Sequence, residues 1–428
     1  MKLATSASLL LPIGTLLLAG IAGPRADERD LTLDPAVQEA APAVSAAEVV
    51  TASAVAPAGT PAAAPALALP LGEAHYDAAL GRYVAPYGDG RAVLTVDPAL
   101  QAQLVQTLAR NSVPWGVTVL IEPGTGRVLA MAEHSRTEPG RTGLALTPLA
   151  PAASLFKLVT AAALLEQGVS PGEEVCFHGG SHRLQPKLLS DDPRRDRRCL
   201  TLGNAFGKSV NVVFAKLAGR GLDAAALGDM ASRFLFNAVI PFVRPVGVSP
   251  AHIDADPFAL ANTAAGFGPV RLSPLHAALL AAIVANGGTF VPPSLVDRVE
   301  GAPAPALAAS RQVVPASVAA ALVEMMRTTV TEGTARKAFR RASGALRGVE
   351  VAGKTGSLSD KDPFRDYSWF VGFAPVDHPR VAVATVIVNE RLWRVRAPAV
   401  AREALEAYFK TELARAPLDP GTLRAAAR

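Results

Sequence analysis

The sequence predicts an α+β fold: an antiparallel sheet flanked by helices, with an all-helical insert. Three observations carry that expectation. Strand patterns open the ordered part of the chain, where residues 117–121 and 128–131 flank the turn Pro123-Gly124-Thr125-Gly126, a hairpin signature. Strand patterns also close it, at residues 349–356, 368–373 and 381–388, and the last two are joined by a proline-bounded turn at 375–379. Helical periodicity fills the space between, at 154–168, 202–218, 274–286 and 316–331.

The elements run in this order. Lys2 precedes an uncharged stretch over residues 3–24, after which Arg25, Asp27, Glu28, Arg29 and Asp30 arrive together. A positive start followed by an apolar run is an export signal. At about 20 residues it is also long enough to span a bilayer as a retained anchor. Either way residues 1–24 send the rest of the chain out of the cytoplasm, to the periplasm or cell envelope. Residues 25–90 read as a linker. Its middle, 34–70, is dominated by Ala and Pro, and proline breaks the helices that alanine favours. Order is expected from Arg91. Asp97 is placed to cap a helix that begins at Pro98. A last helix over 398–413 would cover one face of the sheet, so the catalytic part is bounded at 91–413, with a tail over 414–428.

The 428 residues suffice for one large domain or two ordinary ones, and the formal charge of +5 is spread along the chain. The densest cationic cluster, Arg194, Arg195, Arg197 and Arg198, is interleaved with Asp191, Asp192 and Asp196. A nucleic-acid stripe would be one-sided, so this reads as a solvated loop. The two cysteines, Cys176 and Cys199, are expected to form a disulfide, because an oxidising compartment consumes free thiols. Such a bond is worth about 3 kcal/mol. The rival is a structural zinc held by both cysteines with His178 and His182.

Three short elements carry chemistry. Ser154-Leu155-Phe156-Lys157 puts a hydroxyl and an amine three apart, on one face of a helix start. A serine is a poor nucleophile until a neighbour takes its proton. A lysine can do so only if burial or a second cation lowers its pKa. Composition alone supplies about 0.4 such matches in a chain like this, so a capped helix with a surface lysine explains the pair equally well. Ser209-Val210-Asn211 offers a hydroxyl and an amide able to face one cleft, though helix capping would account for it too. Lys354-Thr355-Gly356-Ser357 ends a strand with a lysine and hydroxyls able to hold a carboxylate, and Gly356 leaves room for a substrate backbone. Chance gives this last pattern roughly 0.1 times, against the bland reading of a strand-to-loop junction.

Taken together and in order, the three elements resemble the transpeptidase domain of penicillin-binding proteins, within the serine penicillin-recognising enzymes. Supporting stretches are Leu94-Thr-Val-Asp-Pro98, the run 122–131, Glu332-Gly-Thr334 and the run 369–375. The resemblance implies a peptidoglycan D,D-transpeptidase. Ser154 would attack a D-Ala-D-Ala stem peptide or a β-lactam, and Lys157 would accept its proton. Ser209 and Lys354 would pass a proton to the leaving group. Asn211 would bind the donor peptide, Thr355 and Ser357 the substrate carboxylate. The backbone N–H groups of Ser154 and Ser357 would form an oxyanion hole. No metal or organic cofactor is implied, nor any nucleic acid; the partners are stem peptides and β-lactams. High-mass members of the family carry a pedestal or a glycosyltransferase domain, and here a linker stands in that place. That leaves an auxiliary role open.

Three other activities remain compatible at this stage. A D,D-carboxypeptidase differs only in its acceptor. A serine β-lactamase shares the fold, but no Glu-x-x-x-Asn stands between Ser209 and Lys354 to activate a water. A non-catalytic β-lactam sensor or cell-wall-binding module would keep the acylation site without turnover.

Overall fold

The computed structural model describes residues 69–180, 184–303 and 308–415. Its main elements follow the chain as β1 (His75–Asp77), β2 (Arg82–Tyr87), β3 (Gly90–Leu94), α1 (Pro98–Arg110), β4 (Trp115–Ile121), β5 (Val128–Ser135) and α2 (Lys157–Glu166). Next come β6 (Glu174–Phe177), β7 (Arg198–Thr201), α3 (Leu202–Gly207), α4 (Asn211–Gly221), α5 (Ala224–Arg233), α6 (Pro257–Ala264) and α7 (Pro274–Ala285). The chain ends with β8 (Val296–Glu300), α8 (Ala316–Thr331), β9 (Ala352–Lys361), β10 (Phe364–Ala374), β11 (Val381–Asn389) and α9 (Ala397–Arg415).

The central sheet is antiparallel in the order β9-β10-β11-β4-β5. Its period-two alternation sorts side chains onto two cores. Val117, Val119, Trp369, Val371, Ala384 and Val386 face α2, α7 and the helical insert. Leu120, Val383, Ile387 and Phe370 face α1 and α9. Helices on both faces explain why β11 is buried along its whole length and is apolar on both faces but for Thr385 and the terminal Asn389. The cap at Asp97 is present, its carboxylate accepting the Leu100 N–H at 2.9 Å.

Three differences from expectation concern where elements begin, break and end. Order does not begin at Arg91: the stretch taken as linker over 25–90 folds from at least Leu69. Leu69, Ala74, Tyr83 and Ala85 pack with Ala92 and Leu94 beneath a second sheet, β1-β2-β3-β8. Leu69 and the aromatic and apolar residues after Pro70 supply this core. The run 202–218 is two helices, broken at Ser209, which sits at φ +55°. The last helix continues to Arg415, two residues into the supposed tail. The export signal or anchor at 1–24 lies outside the described residues. Among the described residues no helix is long and apolar enough to cross a membrane.

Candidate active site

Ser154 stands on a 3-10 turn, Ala153–Phe156, that runs directly into α2. In 3-10 geometry residues three apart eclipse each other. Lys157 therefore lies over Ser154, its Nζ donating to Ser154 Oγ at 2.8 Å. The turn is held on both sides: Trp369 Nε1 donates to Pro151 O at 2.9 Å, and the Ala152 N–H to Val270 O at 2.9 Å. Ala153 pays for the placement with a φ of +49°, a strained value for a residue bearing a Cβ.

Ser209 occupies the break between α3 and α4, also at positive φ, and Asn211 opens α4. The break turns both side chains towards the lysines. Asn211 Oδ1 accepts from Lys157 Nζ at 2.7 Å, and Ser209 Oγ accepts from Lys354 Nζ at 2.9 Å. Lys354, Thr355, Gly356 and Ser357 lie within β9, not at its end, because the strand continues to Lys361. Asp360 and Lys361 are the far end of that strand. As the edge strand of the sheet, β9 passes close to the Ser154 turn. A Cβ on Gly356 would meet Ala152 O at 3.4 Å. Thr355 is nearly buried, and Ser357 stands exposed two residues along on the same strand face.

Lys157 and Lys354 have no solvent exposure. Burial pushes the Lys157 amine well below the usual lysine value, and the charge of Lys354 lowers it further. Burial alone brings Lys354 down to about 7. Each amine rests over an aromatic ring, Lys157 at 5.5 Å from the centre of Phe214 and Lys354 at 5.3 Å from that of Phe206. The remaining hydrogen bonds go to backbone carbonyls, from Lys157 to Ala265 at 2.6 Å and from Lys354 to Thr355 at 3.0 Å. A neutral Lys157 amine has two N–H groups for Asn211 and Ala265 and a lone pair facing Ser154, so the contact with Oγ reverses and the amine can take the hydroxyl proton; a second, protonated amine can supply a proton on the far side.

The three elements thus meet in one cleft. Two participants were assigned no role from the sequence. The Ala265 carbonyl is backbone. It reaches Lys157 because the next residue, Gly266, at φ +92°, lets the chain run so close to Ala153 that a Cβ would lie 2.6 Å from its carbonyl. Thr334, seen only as part of Glu332-Gly-Thr334, lies with its hydroxyl 2.5 Å from that of Thr355. Cys176 and Cys199, opposite each other on β6 and β7, are joined as a disulfide. Among the described residues the one potential metal group is Glu174 with these same cysteines, whose sulfurs are consumed by the bond. His178 turns instead to Asp196, and His182 lies outside the described residues.

The family model for the penicillin binding protein transpeptidase domain matches residues 116–406. The chain is 29% identical over 314 residues to the peptidoglycan D,D-transpeptidase PbpA of Mycobacterium tuberculosis, covering 64% of this chain and 62% of that one. It is 26% identical over 352 residues to the peptidoglycan D,D-transpeptidase FtsI of Escherichia coli, covering 77% and 57%. The matches therefore span somewhat under two thirds of the length of these relatives. The crystal structure of the M. tuberculosis PbpA superposes with a TM-score of 0.58 at 26% identity over 73% of this chain and 79% of that one. Its imipenem acyl-enzyme complex gives 0.59 at 27% identity, over 74% and 78%. With its sheet, insert and three converging elements, the chain belongs to the penicillin binding protein transpeptidase domain family.

Proposed function

We propose that the protein is a serine D,D-transpeptidase that cross-links peptidoglycan stem peptides through an acyl-enzyme on Ser154. What supports this reading above all is the short contact between Lys157 Nζ and Ser154 Oγ, made by an amine that burial and Lys354 hold well below its usual pKa. Lys157 accepts the Ser154 proton as Oγ attacks the carbonyl of the penultimate D-Ala. Ser209, hydrogen-bonded to Lys354, delivers a proton to the departing D-Ala nitrogen. Asn211 binds the peptide amide while steadying Lys157. Thr355 and Ser357 hold the terminal carboxylate, and Gly356 lets the donor backbone approach. The backbone N–H groups of Ser154 and Ser357 receive the oxyanion. An acceptor amine then takes the acyl group and frees Ser154. A β-lactam enters by the same first step, as the imipenem complex of the M. tuberculosis relative suggests by analogy.

On this reading the catalytic part lies outside the cytoplasm, with residues 3–24 as signal or anchor. The Cys176–Cys199 disulfide fits an oxidising compartment. The test is covalent labelling by a fluorescent penicillin. Wild type should label, and Ser154→Ala should not; a mutant that labels undiminished sinks the assignment. Incubation with a stem peptide and an acceptor amine then reads the second half-reaction. Transfer to the amine supports a transpeptidase, whereas hydrolysis alone makes the protein a carboxypeptidase.

A further inference from the structure

Thr334 follows α8 in a tight turn and stands exposed at the rim of the cleft. Its backbone is fastened to the end of α3. The Thr334 N–H donates to Gly207 O at 3.1 Å, and Gly333 lies so close that a Cβ there would be 2.1 Å from the same oxygen. Its hydroxyl has two acceptors within reach, Thr355 Oγ1 at 2.5 Å and Gly207 O at 3.4 Å. Thr334 thus links the loop leading to Ser209 with the strand bearing Thr355.

Each hydroxyl carries one proton, and the contact between the two threonines uses only one of them. If Thr355 donated to Thr334, it would present only lone pairs to the cleft and repel a carboxylate. If Thr334 donates to Thr355, the Thr355 proton is left for the anion. The alternative acceptor, Gly207 O, is at a long distance for a hydroxyl and already receives an N–H. A carboxylate arriving at Thr355 strengthens the favoured direction, because linked hydrogen bonds polarise one another.

We infer that Thr334 is a positioning residue for the substrate carboxylate: its hydroxyl donates to Thr355 Oγ1 and aims the Thr355 proton at the anion of the acyl donor. This rests on the reading of Thr355 as the carboxylate holder.

The experiment compares acylation by benzylpenicillin with acylation by its methyl ester, which lacks the carboxylate, followed by intact mass. Thr334→Val should slow benzylpenicillin about tenfold, the scale of a hydrogen bond to a charged group. The loss should fall on the dissociation constant of the initial complex and spare the chemical step. Reaction with the ester should be unchanged, and Thr334→Ser should restore the acid. A variant that slows both compounds alike shows a merely structural role and overturns the inference, as does one that slows neither. Wild type acylated by neither compound, or acylation that survives Ser154→Ala, overturns the underlying reading and the inference with it.

Discussion

Among the described residues three lysines are completely buried, two in the cleft and one in the helical insert, and they are surrounded differently. Lys216 lies on α4, five residues from Asn211. It donates to Asp196 Oδ2 at 2.6 Å, Asp191 Oδ1 at 3.1 Å and the Cys176 carbonyl at 3.0 Å. Burial pushes the Asp196 carboxyl up, yet the Asp192 N–H, the Lys216 amine and the His178 ring outweigh it and hold it far below the usual range. Among the described residues Lys157 and Lys354 meet hydroxyls, an amide oxygen, carbonyls and ring faces. No carboxylate forms an ion pair with either among the described residues. Equal burial therefore gives opposite chemistry. The lysine paired with carboxylates fastens the insert; a buried lysine without one is driven towards the neutral base that acylation needs.

The largest expected effect is at Lys157. Lys157→Met removes the group that takes the Ser154 proton, and general-base catalysis contributes roughly a hundredfold to ten-thousandfold. The benzylpenicillin acylation rate should fall about a thousandfold, or about 4 kcal/mol in barrier. In wild type that rate should decline as pH is lowered, through a limb well below 10.5, the value for an ordinary lysine. A variant that acylates within tenfold of wild type would mean that another group is the base.

The comparison also predicts opposite stability changes. Lys216→Met leaves Asp196 buried beside its lost partner, a defect worth about 3 kcal/mol, and should lower the denaturant midpoint. Lys354→Met should raise it. In the unfolded chain Lys354 holds its proton up to about pH 10.5, whereas in the fold it releases it near 7. Between these values the unfolded state binds more protons, so the contribution of Lys354 to stability improves as pH rises from about 7 to 10.5. Below pH 7 its full cost stands. The advantage of Lys354→Met should accordingly be greatest at pH 6 and shrink towards pH 10. A variant less stable than wild type at pH 6 would show that Lys354 is not held at a cost, and the contrast with Lys216 would fail.

Much of this was legible before the structure. The hairpin at 123–126, the Asp97 cap, the late strands and the three motifs all leave local signatures in side-chain type and period. What stayed hidden depends on contacts between distant segments. The break at Ser209 is invisible because 202–218 keeps a helical rhythm, and its partner Lys354 lies 145 residues later. The Ala265 carbonyl carries no residue-type signal at all. Residues 71–90 passed as linker because β1 and β2 are short and bury little until β3 and β8 join them. The role of Lys216 was equally unreadable: five residues after a motif, it looks like a solvent-facing lysine until Asp191 and Asp196 fold back over it.

The smallest expected effect concerns the disulfide, and it tests how separate the two regions are. Cys176, Asp191 and Asp196 all belong to the loop 176–199, and all three converge on Lys216. The ion cluster therefore holds the loop even when the covalent bond is absent. Replacing both cysteines by serine should cost about 2 kcal/mol, the low side of what a disulfide contributes. Among the described residues, the hydrogen bonds of Ser154, Lys157, Ser209 and Lys354 involve no residue of that loop. Acylation by benzylpenicillin should then stay within about twofold of wild type, the scale of a substitution remote from the site. One contact opposes this. Gly180 packs against Val212, beside Asn211, so tightly that a Cβ would lie 2.6 Å from that of Val212. If acylation falls in step with stability in the double serine variant, the loop steers Asn211 through Gly180. The cleft and the insert would then be one mechanical unit, distinguished only by which lysine has a carboxylate.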